Sequence, residues 1–276
     1  MKWWIALLPL TGAPAASFAQ DRVDRYGVYE VVLKGADAGN PFIDLELSAS
    51  FTQGDKTFNP EGFYDGDGTY RVRFMPPSAG AWSWTTKSNH PDLDGKTGSF
   101  LSVEGKNRGP VRVANVHHFA HDDGTRYYPF GTTIYEWAFQ PEARKLQTLE
   151  TLRKSAFNKA RMLAVPPFKP NYISGPGKLT QFPFVGTARE NFDFSRFNPA
   201  YFRSLERDVQ RLSELGIQVD LILFRPYDKG QWGFDTTSDA VNQRFIRYMV
   251  ARFAAYQNIW WSLANENSYI KHLSDE

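Results

Sequence analysis

The pattern of apolar and polar positions divides the chain into two parts with different periods. Between residues 26 and 104, apolar residues occur in short alternating runs separated by turn residues, with no helical period between them. Alternation of this kind is typical of strands that bury one face. It predicts strands at residues 26–34, 43–52, 69–75, 81–87 and 99–103, and a series of such strands predicts a β-sandwich.

The period changes after Gly109 and Pro110, where strands and helices begin to alternate. Each strand is a nearly continuous apolar run, as expected for a parallel sheet covered by helices. The sequence Leu215-Gly216 marks a helix end, because glycine is favoured just past the last helical residue. The predicted strands are residues 127–133, 158–165, 217–224 and 259–263, and the predicted helices are residues 141–155, 199–215 and 238–256.

The number of these units limits what the second part can form. Four strands follow Thr125, whereas a (β/α)8 TIM barrel has eight and typically takes about 250 residues. The pattern therefore predicts the first half of such a barrel, after a β-sandwich domain. An open half leaves strand edges unpaired, so we expect the chain to be a fragment. The predicted domain boundaries give a signal peptide at residues 1–19, the β-sandwich at residues 20–108 and the partial barrel at residues 109–276.

The N-terminus has the layout of a secretory signal peptide. Lys2 precedes an apolar stretch from Trp3 to Leu10, and small residues lead up to Ala19. We therefore expect removal of residues 1–19 and a periplasmic or secreted bacterial protein. The apolar stretch is too short to cross a bilayer, and no later segment has the ~20 apolar residues that a membrane span needs.

Composition narrows the possible functions. The 32 Lys and Arg residues nearly balance 30 Asp and Glu residues, so the chain lacks the basic excess of a nucleic-acid binder. The absence of cysteine excludes disulfides, thiolate metal sites and cysteine nucleophiles. Aromatic residues make up 16% of the chain. They suit stacking on sugar rings and also fill β-sandwich cores, and composition alone favours the core.

Two motifs could suggest metal sites but have simpler explanations. His117, His118 and His121 have a useful ligand spacing only if the segment is helical, and the pattern places it in a linker or strand. Asp65 and Asp67 lie in a Gly-rich segment where a turn explains the sequence better than a calcium site. We therefore predict no metal and no cofactor.

The end of the last predicted strand carries the strongest candidate for catalysis. A run of bulky apolar residues ends abruptly in Asn265 and Glu266, at the carboxyl end of a parallel strand, where barrel active sites lie. A glutamate beside Trp260 or Trp261 is partly desolvated, which raises its pKa and prepares it to protonate a leaving-group oxygen. Asn265 can hydrogen-bond a sugar hydroxyl next to the reacting carbon.

Several segments resemble the barrel glycoside hydrolases of clan A. Residues 158–162, 220–228 and 261–266 carry this resemblance. Residues 128–137 are more narrowly similar to the apiosidase-like branch of that clan, alongside family 5 enzymes. Upstream, the segments that resemble the uncharacterised immunoglobulin-like module preceding such barrels are residues 40–42 and 62–71.

The resemblance implies roles for individual residues. Glu266 would be the general acid/base, Asn265 would bind the sugar 2-hydroxyl, and Arg161 would support the nucleophile of a retaining mechanism. In clan A that nucleophile is a glutamate after the seventh strand, to which no residue here can be assigned, so we expect the isolated chain to be inactive. Arg161 could instead be a structural arginine paired with a carboxylate. Glu136 is a possible second carboxylate, although structural pairing explains it better.

Further candidates for substrate binding lie near the ends of predicted strands. Related sequences usually have histidine in place of Arg225, and an arginine there would favour an acidic sugar. The other predicted binding residues are Tyr135, Trp137, Tyr227 and Trp232. The sequence thus predicts a glycoside hydrolase acting on a poly- or oligosaccharide. The alternative is a non-catalytic polysaccharide-binding protein, or a decayed gene product, in which Trp137, Tyr227 and Trp232 stack on sugars.

Overall fold

The computed structural model describes residues 21–166, 179, 181–225 and 230–266. The predicted signal peptide, residues 1–19, and the predicted binding residue Tyr227 lie outside the described residues. The change of period found in the sequence is confirmed, because a β-rich region is followed by a region in which strands and helices alternate.

Eight strands and one short helix form the N-terminal region. They are β1 (Asp21–Asp24), β2 (Tyr29–Lys34), α1 (Pro41–Asp44), β3 (Leu47–Gln53), β4 (Lys56–Phe58), β5 (Gly62–Tyr64), β6 (Thr69–Phe74), β7 (Gly80–Ser88) and β8 (Thr97–Val103). Five strands form one sheet in the order β1-β8-β7-β3-β4, and three form another in the order β2-β6-β5. Neighbouring strands are antiparallel, except that β1 runs parallel to β8.

The five strands predicted for this region correspond to β2, β3, β6, β7 and β8. The segment predicted to begin a strand at Ile43 instead starts in helix α1. The side chain of Asn40 caps that helix by accepting a hydrogen bond from the Phe42 amide, and Pro41 occupies the first turn. Strands β4 and β5 were not predicted, because each has three residues, too few to show an alternating pattern.

Aromatic side chains fill the space between the two sheets. Phe51, Phe74 and Phe100 come from strands of both sheets and are all buried. The rings of Phe51 and Phe74 stack with 4.4 Å between their centroids. Core packing therefore accounts for much of the aromatic content of this region.

A three-stranded antiparallel sheet follows, made of β9 (Val111–Asn115), β10 (His118–His121) and β11 (Arg126–Tyr127) in the order β11-β10-β9. His117 lies in the turn before β10, so the helical spacing that would pair His117 with His121 is not formed. The His121 ring instead contacts the carbonyl oxygen of Gly109 at 2.9 Å. Nowhere in the described part of the chain do three or more histidine or acidic side chains form a metal-binding group.

Parallel strands alternate with helices in the remaining region. Its elements are β12 (Gly131–Thr133), α2 (Glu142–Arg153), β13 (Lys159–Leu163), β14 (Phe184–Val185), β15 (Asp193–Phe197), α3 (Pro199–Glu214), β16 (Gln218–Phe224), α4 (Asp239–Phe253) and β17 (Ile259–Ala264). Four strands form a parallel sheet in the chain order β12-β13-β16-β17. Strands β14 and β15 form a separate antiparallel hairpin between β13 and α3.

Local sequence signals set the ends of helix α3. The side chain of Asn198 accepts a hydrogen bond from the Ala200 amide, and Pro199 occupies the first turn. The helix ends at the predicted glycine, because Gly216 has a φ of 72°, which an L-residue rarely adopts. No described helix is both long enough and apolar enough to cross a membrane.

A buried cluster of charged side chains joins the N-terminal region to helices α3 and α4. Arg252 of α4 donates to Glu206 of α3 at 2.5 Å and to Asp65 at 2.7 Å. Arg73 of β6 donates to the same Glu206 and to the main-chain oxygen of Arg252. Arg71 also donates to Asp65, at 2.8 Å. The two regions therefore share a network of buried ion pairs.

Asp65, a member of this network, lies in the Gly-rich turn before β6. The turn predicted around Asp65 and Asp67 is confirmed, and Gly66, Asp67 and Gly68 all have positive φ. No feature of the sequence near Asp65 indicates that it faces arginines from distant elements. Burial alone would raise the pKa of Asp65, but Arg252, Arg71 and Arg203 outweigh that effect and hold it below its usual range.

Candidate active site

The parallel sheet has an apolar face towards its helices and a polar face on the other side. In β13, Ala160 and Met162 are buried in the core shared with the helices, whereas Lys159 and Arg161 point to the opposite face. Arg161 lies beside Asp220 of β16 in the strand register. Charged side chains from neighbouring strands therefore meet on the polar face.

Arg161 links three strands on this face. It donates to Asp220 Oδ2 at 3.0 Å, to Ser262 Oγ at 3.3 Å and to Asn265 Oδ1 at 3.3 Å. Lys159 also pairs with Asp220, at 3.1 Å, and its ammonium lies 4.0 Å from the ring centre of Trp260. The structural pairing considered for Arg161 is thus present, and the same guanidinium holds the side chain of Asn265.

Asn265 and Glu266 follow directly after β17, at the carboxyl end of the sheet. The Asn265 amide donates to the carbonyl oxygen of Phe224 at 3.1 Å, which continues the pairing with β16 past the end of β17. Glu266 is exposed and has a φ of 54°. A left-handed backbone costs a non-glycine residue about 1 kcal/mol or more and is frequent at functional sites.

Glu136 and Arg225 form a second charged pair at the same edge of the sheet. Glu136 follows β12, Arg225 follows β16, and Arg225 Nη1 lies 3.3 Å from Glu136 Oε1. Arg225 also donates to the carbonyl oxygen of Pro166, just after β13. The guanidinium therefore joins the carboxyl ends of three strands.

Burial dominates the titration of Glu136. It raises the pKa of this carboxyl group to about 7, and the nearby charge of Arg225 offsets only part of the effect. The second oxygen, Oε2, is buried without a hydrogen-bond partner among the described residues. Glu136 can therefore hold a proton near neutral pH, which a nucleophilic carboxylate must not do.

Comparison with known proteins shows which family the region with Glu136, Arg225 and Glu266 belongs to. Residues 114–274, more than half of the chain, match the family model described as "Apiosidase-like, catalytic domain". The chain belongs to the apiosidase-like family. Residues 22–89 match the model of a domain of unknown function, DUF5060. The resemblance to glycoside hydrolases of this kind, predicted from the strand-end motifs, is confirmed.

A solved structure resembles this apiosidase-like chain over nearly its whole length. A crystal structure from Bacteroides vulgatus ATCC 8482, provisionally assigned as a glycoside hydrolase, is 42% identical with a TM-score of 0.86. The match covers 92% of this chain and 51% of that one, so the chain spans about half the length of its relative.

A family 5 glycoside hydrolase from the same organism is 13% identical, with a TM-score of 0.45 and coverage of 59% of this chain and 35% of that one. That similarity is too low to support an argument. No curated protein matches the chain significantly.

The predicted aromatic binding residues of the apiosidase-like region have different surroundings. Tyr135, next to Glu136, is 36% exposed and can meet a ligand. Trp137 is only 3% exposed, and its indole nitrogen donates to the Lys145 carbonyl. Trp232 is 8% exposed and packs against Phe182, with 4.8 Å between ring centroids.

The prediction that Trp137 and Trp232 stack on sugars must be corrected, since both indoles are covered by protein. These two aromatic side chains, which suggested a surface for stacking on sugars, belong to the packed core instead. The polysaccharide-binding alternative rested on these two residues and on Tyr227, which lies outside the described residues.

The predicted role of Arg225 also needs correction. Its side chain is buried, and its charge is paired with Glu136 inside the protein. A guanidinium in this position is not available to bind an acidic sugar directly. Sequence reasoning missed the pairing because the two residues are 89 positions apart, although Arg225 directly follows β16 and Glu136 lies three residues after β12 of the same sheet.

Proposed function

We propose that the whole protein is a glycoside hydrolase and that Glu266 is its general acid/base. The observation that supports this most is the position of Asn265 and Glu266 after the fourth parallel strand of an apiosidase-like domain. In barrel enzymes the carboxyl ends of the strands carry the catalytic residues. Glu266 is exposed there, so a substrate can reach it.

In the proposed reaction, Glu266 donates its proton to the glycosidic oxygen as the bond to the anomeric carbon breaks. A nucleophilic carboxylate forms the glycosyl-enzyme bond, and Glu266 then removes a proton from the water that hydrolyses it. Retaining enzymes place the two carboxyl groups about 5–5.5 Å apart. We propose that the nucleophile comes from a later barrel strand, as the resemblance to clan A implies, and that the isolated chain is inactive.

Arg161 acts in this proposal by orienting Asn265. Because the guanidinium can only donate, the atom of Asn265 that it contacts must be the amide oxygen. The amide nitrogen is then the group that would donate to the sugar 2-hydroxyl. Arg161 is itself fixed by Asp220 and Ser262, so the amide is held before substrate binds.

Glu136 and Arg225 have a positioning role in the proposal. Arg225 holds together the segments after β12 and β13, next to the exposed ring of Tyr135. We propose that Tyr135 contacts the substrate, while Glu136 and Arg225 keep the surrounding loops in place. Structural pairing is therefore the role that we assign to Glu136, rather than that of nucleophile.

The proposed architecture follows the sequence prediction. Two sheets that share one core support an immunoglobulin-like β-sandwich at residues 20–108, and four parallel strands in chain order support the first half of a (β/α)8 barrel at residues 109–276. The segment before residue 20 supports export to the periplasm or beyond. A carbohydrate is the proposed substrate.

The proposal can be tested by incubating the whole protein with a panel of polysaccharides and measuring reducing sugar. Glu266→Gln should slow the release of sugar from any polysaccharide that the wild type cleaves by about 10²–10⁴-fold. Glu214→Gln, at the exposed end of α3, is the matched control and should leave activity unchanged. Equal activity of the Glu266→Gln and Glu214→Gln variants would reject Glu266 as the acid.

A further inference from the structure

A groove of about 720 Å3 lies between the N-terminal region and helix α4. One wall comes from α1, β5 and the end of β7, and the other comes from the first half of α4. Phe197, at the end of β15, also lines it. Because α4 follows β16, its first half lies towards the carboxyl end of the sheet, the same end as Glu266.

The floor of the groove is aromatic and fixed. Phe42 packs edge-on against Tyr64, Phe197 and Tyr248, with 5.1 to 5.8 Å between ring centroids. Asn40, two residues before Phe42, donates to Ser195 of β15 and so ties the α1 wall to the strand that carries Phe197. The groove is therefore formed in advance rather than by closure on a ligand.

Arg244 of α4 lines the groove and has no ion-pair partner among the described residues. Its Nη1 atom is buried and donates no hydrogen bond to any described group. A buried guanidinium nitrogen without an acceptor is costly, because the lost hydration is not replaced. The side chain as a whole lines the groove, so an anionic ligand there would lie beside a guanidinium charge that no described carboxylate neutralises.

The remaining charges of the groove are not evenly balanced. Arg247 pairs with Glu61 through two hydrogen bonds, of 2.8 and 3.1 Å, and Glu46 also acts on Arg247 electrostatically. Lys87 and Arg244 line the groove without an ion-pair partner in the described part of the chain. The lining thus carries three cations and two carboxylates, an excess of one positive charge, above an aromatic floor.

We propose that this groove is a second carbohydrate site, which binds a uronate-bearing oligosaccharide through Arg244 and Lys87. The inference rests on the proposed function, since it supposes a glycan substrate with an acidic portion. A planar carboxylate matches the guanidinium fork with two parallel hydrogen bonds, and sugar C–H groups can lie on Phe42 and Tyr64. The site would hold a part of the substrate away from the reacting bond.

The test uses trimannuronate, an all-uronate trisaccharide, and its uncharged methyl ester. Calorimetric titration of the purified chain should show binding of the acid and at least tenfold weaker binding of the ester. Arg244→Gln should weaken binding of the acid about 10- to 100-fold, the range for a charge-assisted hydrogen bond. Lys87→Gln, at an exposed position, should weaken it several-fold without endangering the fold.

Two controls separate this proposal from the catalytic one. Arg153→Gln removes an exposed arginine of α2 and should bind trimannuronate like the wild type. Glu266→Gln should also bind it normally, although the same substitution removes turnover in the whole protein. Absence of binding, equal binding of the acid and its ester, or equal affinity of the Arg244→Gln and Arg153→Gln variants would overturn the proposal while leaving the role of Glu266 intact.

Discussion

Replacement of Arg252 by methionine should destabilise the whole molecule, not only helix α4. The side chain is fully buried and donates to Glu206 at 2.5 Å, to Asp65 at 2.7 Å and to the hydroxyl of Tyr248 at 2.8 Å. Methionine fills a similar volume but donates no hydrogen bond. Both carboxylates would therefore lose a partner in a place that water does not reach.

The size of the effect follows from the contacts that remain. Removing one partner of a buried ion pair costs about 3–5 kcal/mol. Asp65 keeps Arg71, and Glu206 keeps Arg73, so we expect about 3 kcal/mol, the lower end of that range. For a chain of this size, 1 kcal/mol lowers Tm by about 2–4 °C, so Tm should fall by about 6–12 °C.

Arg247→Met provides the matched control. Arg247 lies on the same helix and also pairs with the N-terminal region, through Glu61, but its side chain is 69% exposed. Exposed ion pairs contribute at most about 1 kcal/mol. Thermal and urea unfolding followed by circular dichroism should therefore separate the two variants. Equal losses of stability in Arg252→Met and Arg247→Met would refute the view that burial makes the ion pairs of Arg252 more important for stability than the exposed pair of Arg247.

The same substitution should change the response to acid. The pKa of Asp65 is lower in the folded protein than its unfolded value of about 3.9, so the stability it contributes is present above that pH and is lost as the pH falls through the folded pKa. Arg252 contributes most to this lowering. Arg252→Met should therefore flatten the decline of the urea midpoint below about pH 4.

Two further outcomes are expected. Residues 105–109 should resist limited proteolysis, because the Gln257 side chain accepts a hydrogen bond from the Gly109 amide and donates one to Asn107. The Gln257→Ala variant should be cleaved in this segment, and mass spectrometry of the fragments would locate the cleavage site. The free energy of unfolding of the wild type should fall as pH rises from 4.5 to about 7, because burial in the folded protein raises the pKa of Glu136. In urea unfolding experiments, the Glu136→Gln variant should lack this decline.

Periodicity predicted the order of the main elements because alternation and helical spacing are local properties of the sequence. The strands β13, β16 and β17 and the helices α2, α3 and α4 all overlap the predicted segments. The placement of Asn265 and Glu266 after β17 followed from the same local reasoning. Their roles in catalysis stay predictions.

The contacts that join the two regions could not be predicted, because they depend on how distant segments pack. Asp65 and Arg252 are 187 positions apart, and nothing near either residue indicates the other. Exposure was equally hard to infer: Trp137 and Tyr135 are two residues apart, yet one is buried and the other is exposed. Burial depends on what packs above a residue, which a single sequence does not show.

The role of Glu266 is tested most directly by how the rate depends on the leaving group. The whole protein and Glu266→Gln would be compared on phenyl and dinitrophenyl glycosides of the sugar that the polysaccharide panel identifies. If Glu266 is the acid, kcat/KM should fall about 10²–10⁴-fold for the phenyl glycoside, whose leaving group needs a proton, and far less for the dinitrophenyl glycoside. An equal loss with both substrates would contradict the assignment.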